Sequence, residues 1–237
     1  MKRYLPHIKR HLAARFEPDT QFGLHLTVGV VLLCLAAWIF GEIAEEVVAK
    51  ARLTIVDQQV ATWFHQHAKS AWTLFFLTVT HWHGQVGMII MSTILGFHFY
   101  GRRAYYWLAS LVLAVPGGML LNVLLKFFFH RARPSFDDPI VSLASFSFPS
   151  GHTSGSTLFY GVLAAYLVCL SAQWSARVAW VVLAVCMVAL VGLSRIYLGA
   201  HFLSDVLAAA AVSGAWLAVC ITGVSTLRRR HAIRKTE

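Results

Sequence analysis

The sequence SRIYLGAHFLSD, residues 194–205, lies between two long apolar runs of the chain. The preceding run covers 178–193, and the following run, 202–224, begins within the last four residues of this stretch. Runs of this kind are close to the length that an α-helix needs to cross a hydrocarbon core of roughly 30 Å. The pattern therefore predicts two membrane-spanning helices whose short connection carries polar side chains at one membrane surface.

Two more polar clusters stand at the ends of apolar runs. The first is KFFFHRARP, residues 126–134, and the second is PSGH, residues 149–152. Two apolar segments separate PSGH from the 194–205 stretch. If both segments cross the bilayer, the chain returns to the face it left, and all three clusters meet on one side.

Composition places the chain among integral membrane proteins. Of its 237 residues, 58% are hydrophobic and only 13% are charged, whereas a soluble domain carries roughly 25% charged residues. The net charge of +10 could indicate a nucleic-acid binder, but most Lys and Arg residues stand at the two ends or in the three clusters. We therefore predict one all-α membrane domain, 1–237, that binds no nucleic acid.

Six apolar runs predict a polytopic protein with six transmembrane helices: 22–40, 84–100, 104–125, 153–170, 178–193 and 202–224. A cleaved signal peptide is the competing interpretation of the first run. The long basic tail before it, 1–21, and the lack of a small-x-small pattern soon after it favour an uncleaved helix. Segment 42–83 mixes charged and apolar residues, which predicts interfacial helices at the outer face.

Six crossings put both termini on the same side of the membrane. Most of the 20 Lys and Arg residues belong to that side, and an excess of positive charge marks the cytoplasmic side. We therefore expect cytoplasmic tails at 1–21 and 225–237. In a bacterium, the clusters would then face the periplasm or the exterior from the inner membrane.

The clusters contain groups suited to phosphoryl transfer. Asp205 follows His201 by four residues on a helix, so its carboxylate can hold one imidazole nitrogen and leave the other as a nucleophile. Ser150 and Gly151 precede a helix N-terminus, where free amides favour phosphate. His152 can act as a general acid toward the leaving oxygen.

Three cations, Lys126, Arg133 and Arg195, can neutralise the charge that spreads over a transferring phosphoryl group. By contrast, His130 and Arg131 are predicted to be interfacial side chains that extend toward the membrane surface. The same prediction holds for His65, His67, His81, His83 and His98. His81 and His83 do not share a helical face, so we expect no metal site.

The three clusters resemble the type 2 phosphatidic acid phosphatase (PAP2) superfamily. Its pattern KxxxxxxRP, PSGH and SRxxxxxHxxxD is matched here at every fixed position. The resemblance implies a PAP2-like helical core with an active site at the outer membrane–water boundary and no metal or other cofactor. It also implies roles: His201 as nucleophile, Asp205 as its orienting partner and His152 as acid and then base. The phosphate-binding residues would be Lys126, Arg133, Ser150, Gly151 and Arg195.

The resemblance implies a cell-envelope lipid phosphatase that hydrolyses phosphate or diphosphate monoesters of lipids through a phosphohistidine. Undecaprenyl diphosphate is the first expectation for its substrate, followed by phosphatidylglycerol phosphate and phosphatidic acid. A phosphotransferase would use the same residues. The vanadium haloperoxidases share these motifs, but six spans argue against that activity. A transporter is the alternative from another class, although transport sites lie near the bilayer midplane rather than at helix ends on one face.

Overall fold

The apolar runs of the sequence form helices in the computed structural model, which describes residues 24–234. This part of the chain contains eight helices and no strand: α1 (Leu24–Val48), α2 (Arg52–Gln66), α3 (Ser70–Trp82), α4 (Gln85–Gly101), α5 (Tyr105–Phe129), α6 (Gly151–Leu170), α7 (Trp174–Tyr197) and α8 (Leu203–Arg234). Within it, five helices are long and apolar enough to cross a membrane, namely α1, α5, α6, α7 and α8. The predicted all-α, polytopic class is confirmed.

The number of spans depends on α4. This helix has 17 residues, or about 25 Å at 1.5 Å per residue, which is short for a hydrocarbon core of roughly 30 Å. It nevertheless follows much of the depth of α6: a Cβ on Gly84 would lie 3.7 Å from His152, and His98 lies 3.3 Å from Tyr166 near the far end. The count of six spans is not confirmed and stays a prediction.

The first helix is longer than predicted. Our boundary at Phe40 was wrong, because α1 continues through the three glutamates of the following segment to Val48. Val47 is buried with Phe148, in the loop between α5 and α6, and with Ala208 of α8. This packing extends the helix beyond its apolar run. At the other end, α8 continues through the predicted tail to Arg234, and the predicted tail 1–21 lies outside the described residues.

The polar segment after α1 folds into α2 and α3, which pack on the end of α7. Phe76 and Tyr197 have ring centroids 4.6 Å apart, and Phe64 packs against the same cluster. The Tyr197 hydroxyl accepts a hydrogen bond of 2.9 Å from the Lys69 amide. These contacts fix both short helices beside the 194–205 stretch.

Helix α6 lies at the centre of the bundle and contacts α4, α5, α7 and α8. Its approach to α5 depends on Gly118, where a Cβ would lie 2.5 Å from Leu158. Asn122, one turn further along α5, donates to the Pro149 carbonyl at 3.2 Å and to Ser154 Oγ at 3.0 Å. The end of α5 and the start of α6 are therefore held together.

Candidate active site

The three polar clusters meet at one end of the bundle. Lys126 is in the last turn of α5, His152 in the first turn of α6, and Arg195 in the last turn of α7. Asp205 lies in the first turn of α8, whereas His201 lies two residues before the helix rather than on it, where the sequence had predicted it. The Ser150 amide donates to the Asp205 carbonyl at 3.1 Å. The convergence predicted from the sequence is present.

His201 lies buried between a carboxylate and a guanidinium. Its Nδ1 is 3.4 Å from Asp205 Oδ2, and its Nε2 is 3.1 Å from Arg133 Nη1. Because Arg133 can only donate, Nε2 must carry the lone pair and Nδ1 the proton. This is the tautomer that a nucleophilic Nε2 needs.

Burial keeps the imidazole of His201 neutral. It lowers the pKa of His201 to about 4, from the usual 6.5, although Asp205 favours the protonated ring. The positive charges of Arg133 and Arg195 make smaller contributions in the same direction to this pKa. Since the ring gains a proton only as the pH falls through about 4, the nucleophile is ready at neutral pH.

This ionisation can be measured directly. In ¹⁵N-histidine-labelled protein in detergent, the His201 ring should show the neutral Nδ1–H tautomer at pH 6 and titrate with a midpoint near 4. The resonance is assigned by its loss in His201→Gln. A midpoint at or above 6.5 would contradict the buried, neutral nucleophile.

Asp205 is fully buried, and hydrogen bonds fix its carboxylate. Oδ1 accepts from Arg131 Nη1 at 2.6 Å, while Oδ2 accepts from the Phe202 amide at 2.9 Å and from the Ser147 hydroxyl. Oδ2 also faces His201 Nδ1. The carboxylate can therefore stabilise a positive charge that develops on the imidazole.

Lys126 and Arg133 enclose the loop before α6. Lys126 Nζ donates to the Phe146 carbonyl at 2.5 Å, and Arg133 Nε donates to the Ser145 carbonyl at 2.7 Å. Arg133 Nη1 also donates to the Ala200 carbonyl at 2.5 Å. Burial lowers the pKa of Arg133 below its usual value, while Asp205 acts in the opposite direction. A phosphate beside His201 could take over some of these donors.

Arg195 is a buried cation with spare hydrogen-bonding capacity. The residue is 3% exposed, and its Nη1 donates to Thr80 Oγ1 at 2.5 Å. Its Nε is buried without a hydrogen-bond partner, and among residues 24–234 no carboxylate forms an ion pair with it. Burying an unsatisfied cation is costly, so Arg195 is suited to an anionic ligand.

The PSGH cluster forms the start of α6. Ser150 is fully buried and accepts a hydrogen bond from Thr153 Oγ1 at 3.1 Å. A Cβ at Gly151 would make only an ordinary contact of 3.5 Å with Asn122, so protein packing does not require this glycine. His152 is half-buried and interacts electrostatically with Arg195 and His201.

Arg131 belongs to the site although its motif gave no sign of it, and our prediction that it is an interfacial side chain was wrong. The guanidinium lies inside the protein, where it pairs with Asp205 and with Asp57 of α2. Asp57 was also missed, because it occurs in a segment whose mixed polarity indicated an interface. Ser147 and Ser204, which hydrogen-bond to these carboxylates, gave no signal in the sequence.

His83 also differs from its prediction as an interfacial residue. Its side chain is buried, Nδ1 donates to the Val79 carbonyl at 2.7 Å, and Nε2 accepts from the Tyr160 hydroxyl at 2.8 Å. His130, His67, His81 and His98 are exposed, and His65 is half-buried beside Asp138, so for these five residues the interfacial position stays a prediction.

Two cavities reach His152. A cavity of about 760 Å³ between α4, α5 and α6 is lined mainly by apolar side chains such as Met88, Leu111 and Met119. A second cavity, of about 650 Å³, lies along α3 and α4 and reaches both His152 and Arg195. An apolar chain can therefore lie beside the polar cluster.

Comparisons with known proteins agree with this arrangement. The chain is 42% identical over 114 residues to phosphatidylglycerophosphatase B of Bacillus subtilis (strain 168), a match that covers 47% of this chain. It spans about half the length of that relative, 54%.

Two solved structures have a similar fold. One is the transmembrane PAP2-type phosphatidylglycerolphosphate phosphatase from Bacillus subtilis, with a TM-score of 0.69, 26% identity, and coverage of 85% of this chain and 96% of the other. The other is Aquifex aeolicus LpxE, with a TM-score of 0.55, 21% identity, and coverage of 73% and 95%. At that identity, the second likeness shows the fold alone.

The family follows from a match that includes the whole polar cluster predicted from the sequence. The model of the PAP2 superfamily matches residues 106–229, more than half of the chain and every residue from Lys126 to Asp205. The chain belongs to the PAP2 superfamily.

Proposed function

We propose that this protein is an integral membrane lipid phosphatase that forms a phosphohistidine on His201. The observation that carries the proposal is the setting of this imidazole, with Nδ1 on Asp205 and the Nε2 lone pair beside Arg133. Arg195 adds a buried donor without a partner. A neutral nucleophile next to several cations suits attack on a phosphate monoester.

The proposed reaction has two steps. First, Nε2 of His201 attacks phosphorus, the P–O bond to the lipid breaks, and His152 gives its proton to the leaving oxygen. Then His152 accepts a proton from water, the hydroxide oxygen attacks phosphorus, and the P–N bond breaks to release inorganic phosphate. Lys126, Arg133, Arg195 and the amides at the start of α6 hold the phosphate oxygens in both steps.

A lipid is the substrate class that we propose, because apolar cavities lead to His152. The 760 Å³ cavity between α4 and α6 has room for an acyl chain and ends at His152. The second cavity reaches Arg195, so a terminal phosphate near His152 would lie close to a cation. Phosphatidylglycerol phosphate becomes our first candidate, since a relative at 42% identity and a solved structure at 26% carry this activity in their names. Undecaprenyl diphosphate, the first expectation from the sequence, becomes the second candidate.

We further propose a single membrane domain with six crossings in the inner membrane of a bacterium. Both tails would be cytoplasmic and the site would face the periplasm or exterior, as the distribution of Lys and Arg favours. The path of α4 beside α6 supports an even number of crossings.

Phosphate release by purified protein in detergent tests the proposal. The panel holds phosphatidylglycerol phosphate, undecaprenyl diphosphate, phosphatidic acid and lipid A, each with EDTA present. We expect release from phosphatidylglycerol phosphate, inhibition by vanadate and no effect of EDTA, since within residues 24–234 no three His, Cys, Asp or Glu side chains cluster as metal ligands.

Other outcomes of this assay are equally informative. Phosphate release from undecaprenyl diphosphate alone would make it the first candidate substrate in place of phosphatidylglycerol phosphate. Transfer to an added lipid alcohol without free phosphate would show a phosphotransferase. Loss of activity in EDTA that magnesium restores would contradict the proposed mechanism.

A further inference from the structure

Arg131 connects Asp205, the carboxylate that faces the candidate nucleophile His201, to a second carboxylate, Asp57 of α2. Its Nη1 donates to Asp205 Oδ1 at 2.6 Å, and its Nη2 donates to Asp57 Oδ2 at 2.7 Å. The side chains of both aspartates are 0% exposed, and that of Arg131 is 13% exposed. The three groups form a buried charge network with one cation and two anions.

Asp57 also holds the start of α8. Its Oδ1 accepts from the Ser204 amide at 2.9 Å, and its Oδ2 accepts from the Ser204 hydroxyl. A carboxylate that binds free amides in the first turn of a helix stabilises that turn. Asp57 therefore acts as a cap supplied by another helix, and it fixes the residue directly before Asp205.

The two oxygens of the Asp205 carboxylate have different partners. Arg131 binds Oδ1, while Oδ2 faces His201 Nδ1 and accepts from the Phe202 amide. Rotation of the carboxylate would break the Arg131 contact. Replacing Asp57 would remove the partner of Arg131 Nη2 and the hydrogen bonds to Ser204. Because Arg131 and Ser204 both adjoin Asp205, either loss would change the position of its carboxylate.

Burying three charged groups opposes folding, because each loses its hydration. Apolar residues of similar volume often stabilise a protein at least as well as a buried ion network. The network here ends on the carboxylate that faces the candidate nucleophile. Asp57, moreover, lies outside the 106–229 segment that matches the family model.

We propose that Asp57 and Arg131 are positioning residues, which hold Asp205 so that Oδ2 faces His201 Nδ1. This proposal rests on the proposed function, because it assigns the pair to the same imidazole. Asp57 acts only through Arg131 and Ser204, and neither Asp57 nor Arg131 contacts the reacting atoms.

The kinetic test compares Asp57→Asn with Glu46→Gln. Both replacements remove one negative charge and keep the shape of the side chain, and Glu46 lies on α1, where it accepts from the Leu53 amide. We expect kcat to fall by roughly 10- to 100-fold in Asp57→Asn with KM unchanged, since misplaced catalytic groups cost rates of that order. Glu46→Gln should behave as the wild type.

A double-mutant cycle shows whether the effect passes through Asp205. Added to Asp205→Asn, the Asp57→Asn change should cost no further activity, because residues that act as a unit are not additive. An equal loss in both backgrounds, or an unchanged kcat in Asp57→Asn, would overturn the proposal. Arg131→Lys is the second variant if Asp57→Asn does not fold. It keeps the charge but replaces the two nitrogens that bind Asp205 and Asp57 with a single one, and we expect the same fall in kcat.

The closing experiment does not depend on turnover. In ¹⁵N-histidine spectra at pH 7, Asp57→Asn or Arg131→Lys should shift the Nδ1 resonance of His201, and Glu46→Gln should not. An unshifted resonance in the folded variants would overturn the positioning role even if the wild type hydrolyses lipids. A shifted resonance in a protein that hydrolyses none would overturn the proposed function and leave the positioning intact.

Discussion

His201→Ala should lower the rate of phosphate release by about 10⁴-fold or more. The reason is that His201 is the imidazole that faces Asp205, and alanine provides no nucleophile. The fold should survive the change. Asp205 loses His201 but keeps its hydrogen bonds from Arg131, Ser147 and the Phe202 amide, so the buried carboxylate still has partners. Activity is measured with the lipid that the wild type prefers, and folding by thermal unfolding in detergent.

His67→Ala is the matched control for this loss. His67 is exposed and stacks on Trp63, away from the polar cluster, so its replacement should leave turnover unchanged. Turnover by folded His201→Ala at the rate of the His67→Ala variant would exclude His201 as the nucleophile.

Replacement by methionine should affect the free energy of unfolding differently at Arg131 and at Arg195. Arg131→Met leaves the carboxylates of Asp57 and Asp205 buried without their cation. Removing one partner of a buried ion pair costs about 3–5 kcal/mol, so the free energy of unfolding should fall by that order. The variant should unfold at a clearly lower denaturant concentration than the wild type.

Arg195→Met should leave the free energy of unfolding unchanged or higher. The substitution removes a buried cation that pairs with no carboxylate in residues 24–234 and has an unsatisfied Nε. Turnover should nevertheless fall by about 10³-fold, the order that a cation on the transferring phosphoryl group contributes. Denaturant unfolding in detergent, measured beside turnover, separates the two arginines. Equal destabilisation, or an active Arg195→Met, would contradict these roles.

The sequence predicted the helices and the polar cluster because both have local signatures. Apolar runs of bilayer length indicated the spanning helices, and fixed spacings in three short stretches predicted His201 and its neighbours as site residues. The charged cluster from Lys126 to Asp205 converges because each motif stands at a helix end on the same face. None of these inferences required knowledge of a distant contact.

The Asp57–Arg131 pair shows what the sequence did not reveal. These residues are 74 positions apart, and each lies in a stretch whose composition is typical of a membrane interface. Their pairing depends on how α2 packs against the ends of α7 and α8, which no local pattern encodes. The extension of α1 to Val48 has the same origin, since it depends on packing against Phe148 and Ala208.

Trapping the phosphoenzyme tests the central proposal most directly. Purified protein is mixed with ³²P-labelled lipid phosphate, quenched in alkali, where phosphohistidine survives, and digested for mass spectrometry. We expect the label on the peptide that contains His201 and none in His201→Ala. Continued phosphate release by the wild type without label on any residue, or with label on another residue, would contradict the phosphohistidine mechanism.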